Sequence, residues 1–322
     1  MTAIPNSRKN AGAKLLNKRK TLVHDIAKNP FSYLLLLPAF AYVFIFSYMT
    51  LPYIILAFQK YNYRTGLFRS EFVGLKNFEF FFVSARAGLV TFNTIFLNLL
   101  FLTTGTFMSV LLALLLNELK NRPFLRVTQA SLLFPNFISW VIISYIVYAF
   151  FSTQYGWLNT FLKAVGAQPV SMYTNASNWP LVLVIIRLWK GMGINSVIYL
   201  ASITGFDEEL YDAAKTDGAS RFKQTIYITL PLLIPTICIL TLLSIGRIFY
   251  GDFQMLYTLV GDNGVLLPTT DVIDTYVFRA LRQTGDPSNA MAVGLYQAMV
   301  GFIMVFFSNL LVKKLFPDGA IF

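Results

Sequence analysis

The hydrophobic positions of this chain fall in long blocks rather than in stripes. The first block runs from Phe31 to Phe58, and others follow at Thr94–Asn117, Gln129–Phe151, Trp179–Thr204, Leu230–Tyr250 and Ala290–Val312. A bilayer core about 30 Å thick needs roughly 20 apolar residues rising about 1.5 Å each, and all six blocks meet that length. Lipid offers no hydrogen-bond partners, so each block must satisfy its own backbone as a helix. The pattern predicts an all-α membrane protein with six transmembrane helices. The first block is too long, and begins too far from Met1, for a cleaved signal peptide.

Orientation follows from the basic residues between the blocks. The N-terminal tail carries Arg8, Lys9, Lys14, Lys18, Arg19, Lys20 and Lys28. On the same side fall Lys120, Arg122 and Arg126, then Lys215, Arg221 and Lys223, then Lys313 and Lys314. The opposite side has only Lys60, Arg64, Arg69, Lys76, Arg86, Lys163, Arg279 and Arg282. Both termini are therefore expected in the cytoplasm. The expected division is a basic tail over 1–30 and a transmembrane domain over 31–322. Within the tail, Lys14–Lys28 spaces Leu15, Leu16, Leu22, Val23 and Ile26 as an amphipathic surface helix would, although a partly ordered basic tail fits equally well. Val272, Ile273, Tyr276, Val277 and Leu281 predict an amphipathic helix in the long 251–289 connection.

Composition narrows the class. Hydrophobic residues make up 56% of the chain and charged residues 13%, about half the charged share of a soluble domain. The net charge of +11 reads as a topology signal with contact to anionic lipid, not as a nucleic-acid surface. One cysteine, Cys238, and one histidine, His24, exclude an internal disulfide, a Cys/His metal cluster and a Cys–His nucleophilic pair made from distant residues. The chain contains no Gly-x-x-x-x-Gly-Lys-Ser/Thr phosphate loop, so it has no ATPase motif of its own.

The 205–231 connection carries the clearest local design. Asp207 can cap a short helix, Glu208 and Glu209 suit its positive end, Lys215 suits the other end, and Gly218 can take the left-handed turn that stops it. Leu210, Ala213 and Ala214 then share one face, small enough for a partner to approach. A docking surface and an ordinary connector both fit this design.

The run Asp212-Ala213-Ala214, three residues, Gly218, nine residues, Ile228-Thr229-Leu230-Pro231 resembles the EAA loop of binding-protein-dependent ABC importer permeases. The family spacing is kept, with Asp212 where Glu is usual. Phe72-Val73-Gly74-Leu75-Lys76-Asn77-Phe78, Asn93-Thr94, Trp189–Gly193, Thr270–Val277 and Ala292–Gln297 resemble carbohydrate-type permeases of the LplB-like and MalF-like branch, which serves saccharides such as alginate. The resemblance implies a type I ABC importer permease-like bundle forming half of a pore. It implies a second permease, two nucleotide-binding subunits holding ATP and Mg, and an external solute-binding protein in a bacterial inner membrane. It also implies coupling to the ATPase through Glu209, Leu210, Asp212, Ala213, Ala214, Asp217, Gly218, Leu230 and Pro231.

Charges inside a bilayer are costly, so they mark protein or water contact. Arg187, Lys190 and Asn195 in the fourth block, Arg247 and Tyr250 in the fifth, and Gln297 in the sixth are the candidates for a substrate path. Cations there would suit an acidic saccharide; snorkelling or structural pairing is the competing reading. A self-contained secondary carrier or channel would need acidic coupling residues in the core blocks, which hold almost none. No paired acids or nucleophile constellation points to an enzyme.

Overall fold

The computed structural model describes residues 24, 25 and 27–315, and is mostly helical. It divides into two compact units, residues 1–55 and 56–322. The expected tail helix over Lys14–Lys28 falls largely outside the described residues.

In the first unit, Pro30 opens helix α1 (Pro30–Val43), where its missing N–H costs nothing. Asp25 accepts from Asn29 Nδ2 at 3.0 Å and from the Tyr33 hydroxyl at 2.7 Å just ahead of it. The helix continues as a π turn, Phe44–Tyr48.

The second unit holds the rest. A two-stranded ribbon, β1 (Gln59–Lys60) and β2 (Glu71–Phe72), precedes α2 (Lys76–Phe82) and α3 (Ala87–Asn117). Then come α4 (Arg122–Leu133), α5 (Trp140–Phe151), α6 (Trp157–Ala164), α7 (Trp179–Ile203), α8 (Glu208–Thr216) and α9 (Arg221–Gln224). After them follow α10 (Leu230–Ile245), α11 (Phe253–Leu259), α12 (Leu267–Thr270), α13 (Ile273–Thr284) and α14 (Pro287–Leu315).

Five stretches among the described residues are long and apolar enough to cross a membrane: Pro30–Phe58, Ala87–Asn117, Ala176–Ile203, Arg221–Ile245 and Pro287–Lys314. A sixth exists only if Arg122–Phe137 and Trp140–Phe151 are one span, bent by 95°. Hydropathy predicts one helix over Gln129–Phe151; the bend falls where Pro135 sits in a 3-10 turn (Phe134–Phe137) and Ser139 starts a new helix by capping Ile142 N–H at 3.3 Å.

α3 and α7 form the axis of the second unit. At one end Val110, Ala113 and Leu116 pack on Tyr199, Leu200 and Ile203 and on Leu233 of α10. Toward the other end Leu97 and Phe101 meet Leu183 and Ile186, with Ile143 of α5 and Met255 of α11. Between helices in lipid the hydrophobic effect is weak, and close approach decides stability. Two glycines supply it. A Cβ on Gly193 would lie 2.0 Å from the Leu132 carbonyl oxygen, and one on Gly301 would lie 2.9 Å from that of Gly246.

Polar side chains fasten the far end. Asn93 Nδ2 donates to the carbonyls of Pro268 and Asp271, both at 3.1 Å, while Thr94 Oγ1 accepts from Ile273 N–H at 2.9 Å. Asp271, buried just ahead of α13, pairs with Arg279 eight residues on, and Gly285 (φ 67°) ends that helix. Asn77 likewise donates to the carbonyls of Ala57 and Gln59 at 3.0 and 2.8 Å.

Candidate functional site

The α8–α9 element folds as its punctuation requires. Asp207 accepts from Glu209 N–H at 3.0 Å and starts α8. Gly218 (φ 77°) stops it: its N–H reaches the Lys215 carbonyl at 3.0 Å, and Ala219 N–H reaches that of Ala214 at 2.9 Å. Those two bonds make a Schellman cap, which only a residue tolerant of positive φ can close cheaply. Ser220 then caps α9 by accepting from Lys223 N–H at 3.4 Å. A π turn, Thr225–Thr229, carries the chain into α10 and ends where Pro231 removes the next donor.

The exposed side of this element holds Glu209, Leu210, Asp212, Ala213, Asp217 and Gly218. Ala214 and Tyr211 are half-buried, so the face expected to be shared by Leu210, Ala213 and Ala214 is divided between solvent and protein. Asp212 pairs with Lys215 at 2.8 Å, both exposed, and an exposed pair of this kind adds about 0–1 kcal/mol. The Tyr211 hydroxyl meets Thr229 Oγ1 at 3.0 Å, and Arg221 reaches Glu118 at 2.6 Å. Leu230 is half-buried and Pro231 exposed at the start of α10.

The candidate path residues do not form one cluster. Arg187 on α7 pairs with Asp252 at 2.8 Å and lies 4.7 Å from the centre of the Phe101 ring. Lys190, one turn along, points at the bend between α4 and α5. Asn195 is exposed, and Ser196 is buried against the Gly193 carbonyl at 2.7 Å. Gln297 is buried, its amide donating to the Phe249 carbonyl at 2.6 Å and to Asp274 at 3.2 Å. Arg247 and Tyr250 are exposed on the segment that follows α10.

That segment, Gly246–Asp252, is non-helical, and side chains from its neighbours satisfy its backbone. Asn98 of α3 donates to the carbonyls of Ile248 and Tyr250 at 3.0 and 2.9 Å, Gln297 of α14 holds that of Phe249, and Asp274 of α13 accepts from Gly251 N–H. Irregular backbone at membrane depth survives where protein or a water-filled path satisfies it. Burial pushes the Asp274 carboxyl above the ordinary Asp value of 3.8, against the lowering effect of Gly251 N–H and Gln297. Sequence reasoning missed Asn98 and Asp274, and offered Asp252 to Arg247, whereas it pairs with Arg187. A lone Asn inside an apolar span was the available signal for the first.

A bundle of apolar spans with a bent helix pair, a capped two-helix loop and an unwound helix end suits a membrane transport permease. Residues 105–317 match the family described as binding-protein-dependent transport system inner membrane component, and the chain belongs to that family of multi-pass membrane proteins. It is 34% identical, over 94% of both chains, to the polygalacturonan/rhamnogalacturonan transport system permease protein YteP of Bacillus subtilis (strain 168). It is 31% identical to Protein LplB of the same organism over 99% of both. Among solved structures it resembles a chain of a bacterial ABC transporter involved in the import of the acidic polysaccharide alginate, with 30% identity and a TM-score of 0.82 over 92% of this chain and 99% of that one. A crystal structure of the bacterial alginate ABC transporter in complex with an alginate pentasaccharide-bound periplasmic protein matches with a TM-score of 0.80 at 30% identity, over 91% and 97%.

Proposed function

We propose that this chain is one of two permease subunits of an ATP-driven importer, forming half of the pore for a saccharide handed over by an external solute-binding protein. Its six spans, counting the bent pair as one, leave both termini in the cytoplasm, and residues 31–322 form the permease domain behind a basic tail over 1–30. Two nucleotide-binding subunits carry ATP and Mg and seat the 205–231 loop. Glu209, Leu210, Asp212, Ala213, Ala214, Asp217 and Gly218 present the contact, and Leu230 and Pro231 pass the motion into α10. The observation that carries this reading is the exposed, doubly capped α8, tied by Tyr211 to the foot of α10.

The cargo is an acidic oligo- or polysaccharide. Arg247 and Tyr250 stand exposed on the Gly246–Asp252 segment, and no side-chain partner of Arg247 occurs among the described residues. A guanidinium and an aromatic ring exposed on one short segment suit a uronate: the fork takes the carboxylate and the ring stacks on the sugar.

The test is purification of the tagged chain from its host in detergent, followed by uptake in proteoliposomes. Recovery of an ATPase and a second permease, with ATP-dependent uptake, supports the importer. Purification alone with ATP-independent transport would overturn it in favour of a self-contained carrier. Arg247→Gln should slow uptake of a uronate oligomer about tenfold or more and spare a neutral oligomer of equal length; equal loss for both would remove the acidic assignment.

A further inference from the structure

The Lys190 ammonium, carried on α7, has three N–H donors, and three backbone carbonyls take them: Pro135 at 3.4 Å, Asn136 at 2.9 Å, and Ile138. The Trp140 ring lies 5.2 Å from the same nitrogen. These carbonyls belong to the 95° bend between α4 and α5; Pro135 also accepts from Ile138 N–H at 3.2 Å, and the interrupted helix leaves Asn136 and Ile138 to the ammonium. One turn further along α7, Gly193 brings its backbone against the Leu132 carbonyl, with no room for a Cβ. Arg187, one turn the other way, is held by the Asp252 carboxylate, which an anionic cargo could replace. Backbone carbonyls cannot leave in that way.

We propose that Lys190 is a positioning residue, not a cargo contact: it locks the bend of the α4–α5 span onto α7, so that the two move as one body. α7 runs on through Gly205 into α8, so a displacement of the 205–231 loop reaches the bend through this lock. The transport consequence rests on the importer reading; the lock itself does not. A saturated ammonium offers no donor to a sugar. Methionine in its place would leave the Asn136 and Ile138 carbonyls unmet, while that of Pro135 would keep only the Ile138 N–H at 3.2 Å.

The test uses the assembled complex in nanodiscs without cargo, and hydrogen–deuterium exchange read by mass spectrometry over residues 132–143. Lys190→Met should speed exchange there about tenfold, leaving α3 peptides unchanged, and Lys190→Arg should recover part of the protection. In proteoliposomes Lys190→Met should lower the maximal uptake rate with the half-saturating concentration unchanged, alike for acidic and neutral saccharides. Wild-type exchange over 132–143 overturns the lock. So does a rise in half-saturating concentration confined to acidic cargo. Because exchange is read without cargo, it decides the lock even if the chain carries no saccharide. If Lys190→Met does not assemble, Lys190→Gln, whose amide reaches one bond less far and carries no charge, should show the same faster exchange, and wild-type protection in it overturns the proposal.

Discussion

The hydroxyls of Tyr211 and Thr229 meet at 3.0 Å across 18 residues of chain, joining the middle of α8 to the last residue before α10. Thr229 is buried and Tyr211 half-buried, so this is a contact inside the element rather than on its surface. Tyr211→Phe removes one hydrogen bond, about 1 kcal/mol, and keeps the ring. The expected result is an importer that assembles and hydrolyses ATP but transports several-fold less per ATP. Parallel ATPase and uptake assays on one preparation check it; unchanged coupling would show that motion reaches α10 by another route.

Asp212 separates charge from fold. Its pair with Lys215 is exposed, so Asp212→Ala should change thermal stability by less than about 1 kcal/mol. Uptake should nevertheless collapse if this carboxylate meets the ATPase. Asp212→Glu should retain it. The readouts are melting temperature for the first claim and ATP-driven uptake for the second.

Gly193 has no space for a side chain. Alanine would place a Cβ 2.0 Å from the Leu132 oxygen, a backbone atom that cannot rotate away. Gly193→Ala should destabilise the purified protein by about 1–3 kcal/mol or more through overpacking, seen as a lower melting temperature in detergent. Gly191, whose Cβ would meet nothing, is the control and should tolerate alanine.

Asp274 predicts a pH dependence. Burial raises its folded pKa above the ordinary 3.8, so the native state holds the proton more tightly than the unfolded chain does. Stability contributed by this group is therefore full below 3.8 and falls as pH rises through the folded value. Asp274→Asn keeps an oxygen for Gly251 N–H and removes the buried charge. The variant should melt no lower than wild type at neutral pH and show a flatter stability profile on the acid side. A steeper profile would contradict the assignment.

Much of this architecture was written in the chain because lipid allows so few solutions. The Ala87–Asn117 and Pro287–Lys314 helices contain the blocks that hydropathy marks and start earlier, by about two turns and one, while Ala176–Ile203 covers its block to within one residue. The caps Asp207 and Gly218 work as their residue types demand. The bend at Phe137–Trp140 stayed hidden, since apolar residues continue through it and only Pro135 hints at a break. The path residues were the least legible. Hydropathy marks a polar group inside the membrane but not whether it faces cargo or a carbonyl; Gln297 and Lys190 turn inward to backbone, whereas Arg247 does not.

The bend and the amine that caps it also leave the ribosome at different times. Lys190 follows Ile138 by 52 residues, with α6 and the first turns of α7 still to be made in between. During synthesis the bend is therefore made before the amine that meets its Asn136 and Ile138 carbonyls. Until α7 arrives, water at the insertion channel, or a protein that shelters the nascent chain, must occupy them. Release into lipid before that point would leave polar backbone in hydrocarbon. The α4–α5 pair thus has reason to wait beside the channel, and the order in which the chain is threaded becomes part of how it reaches its fold.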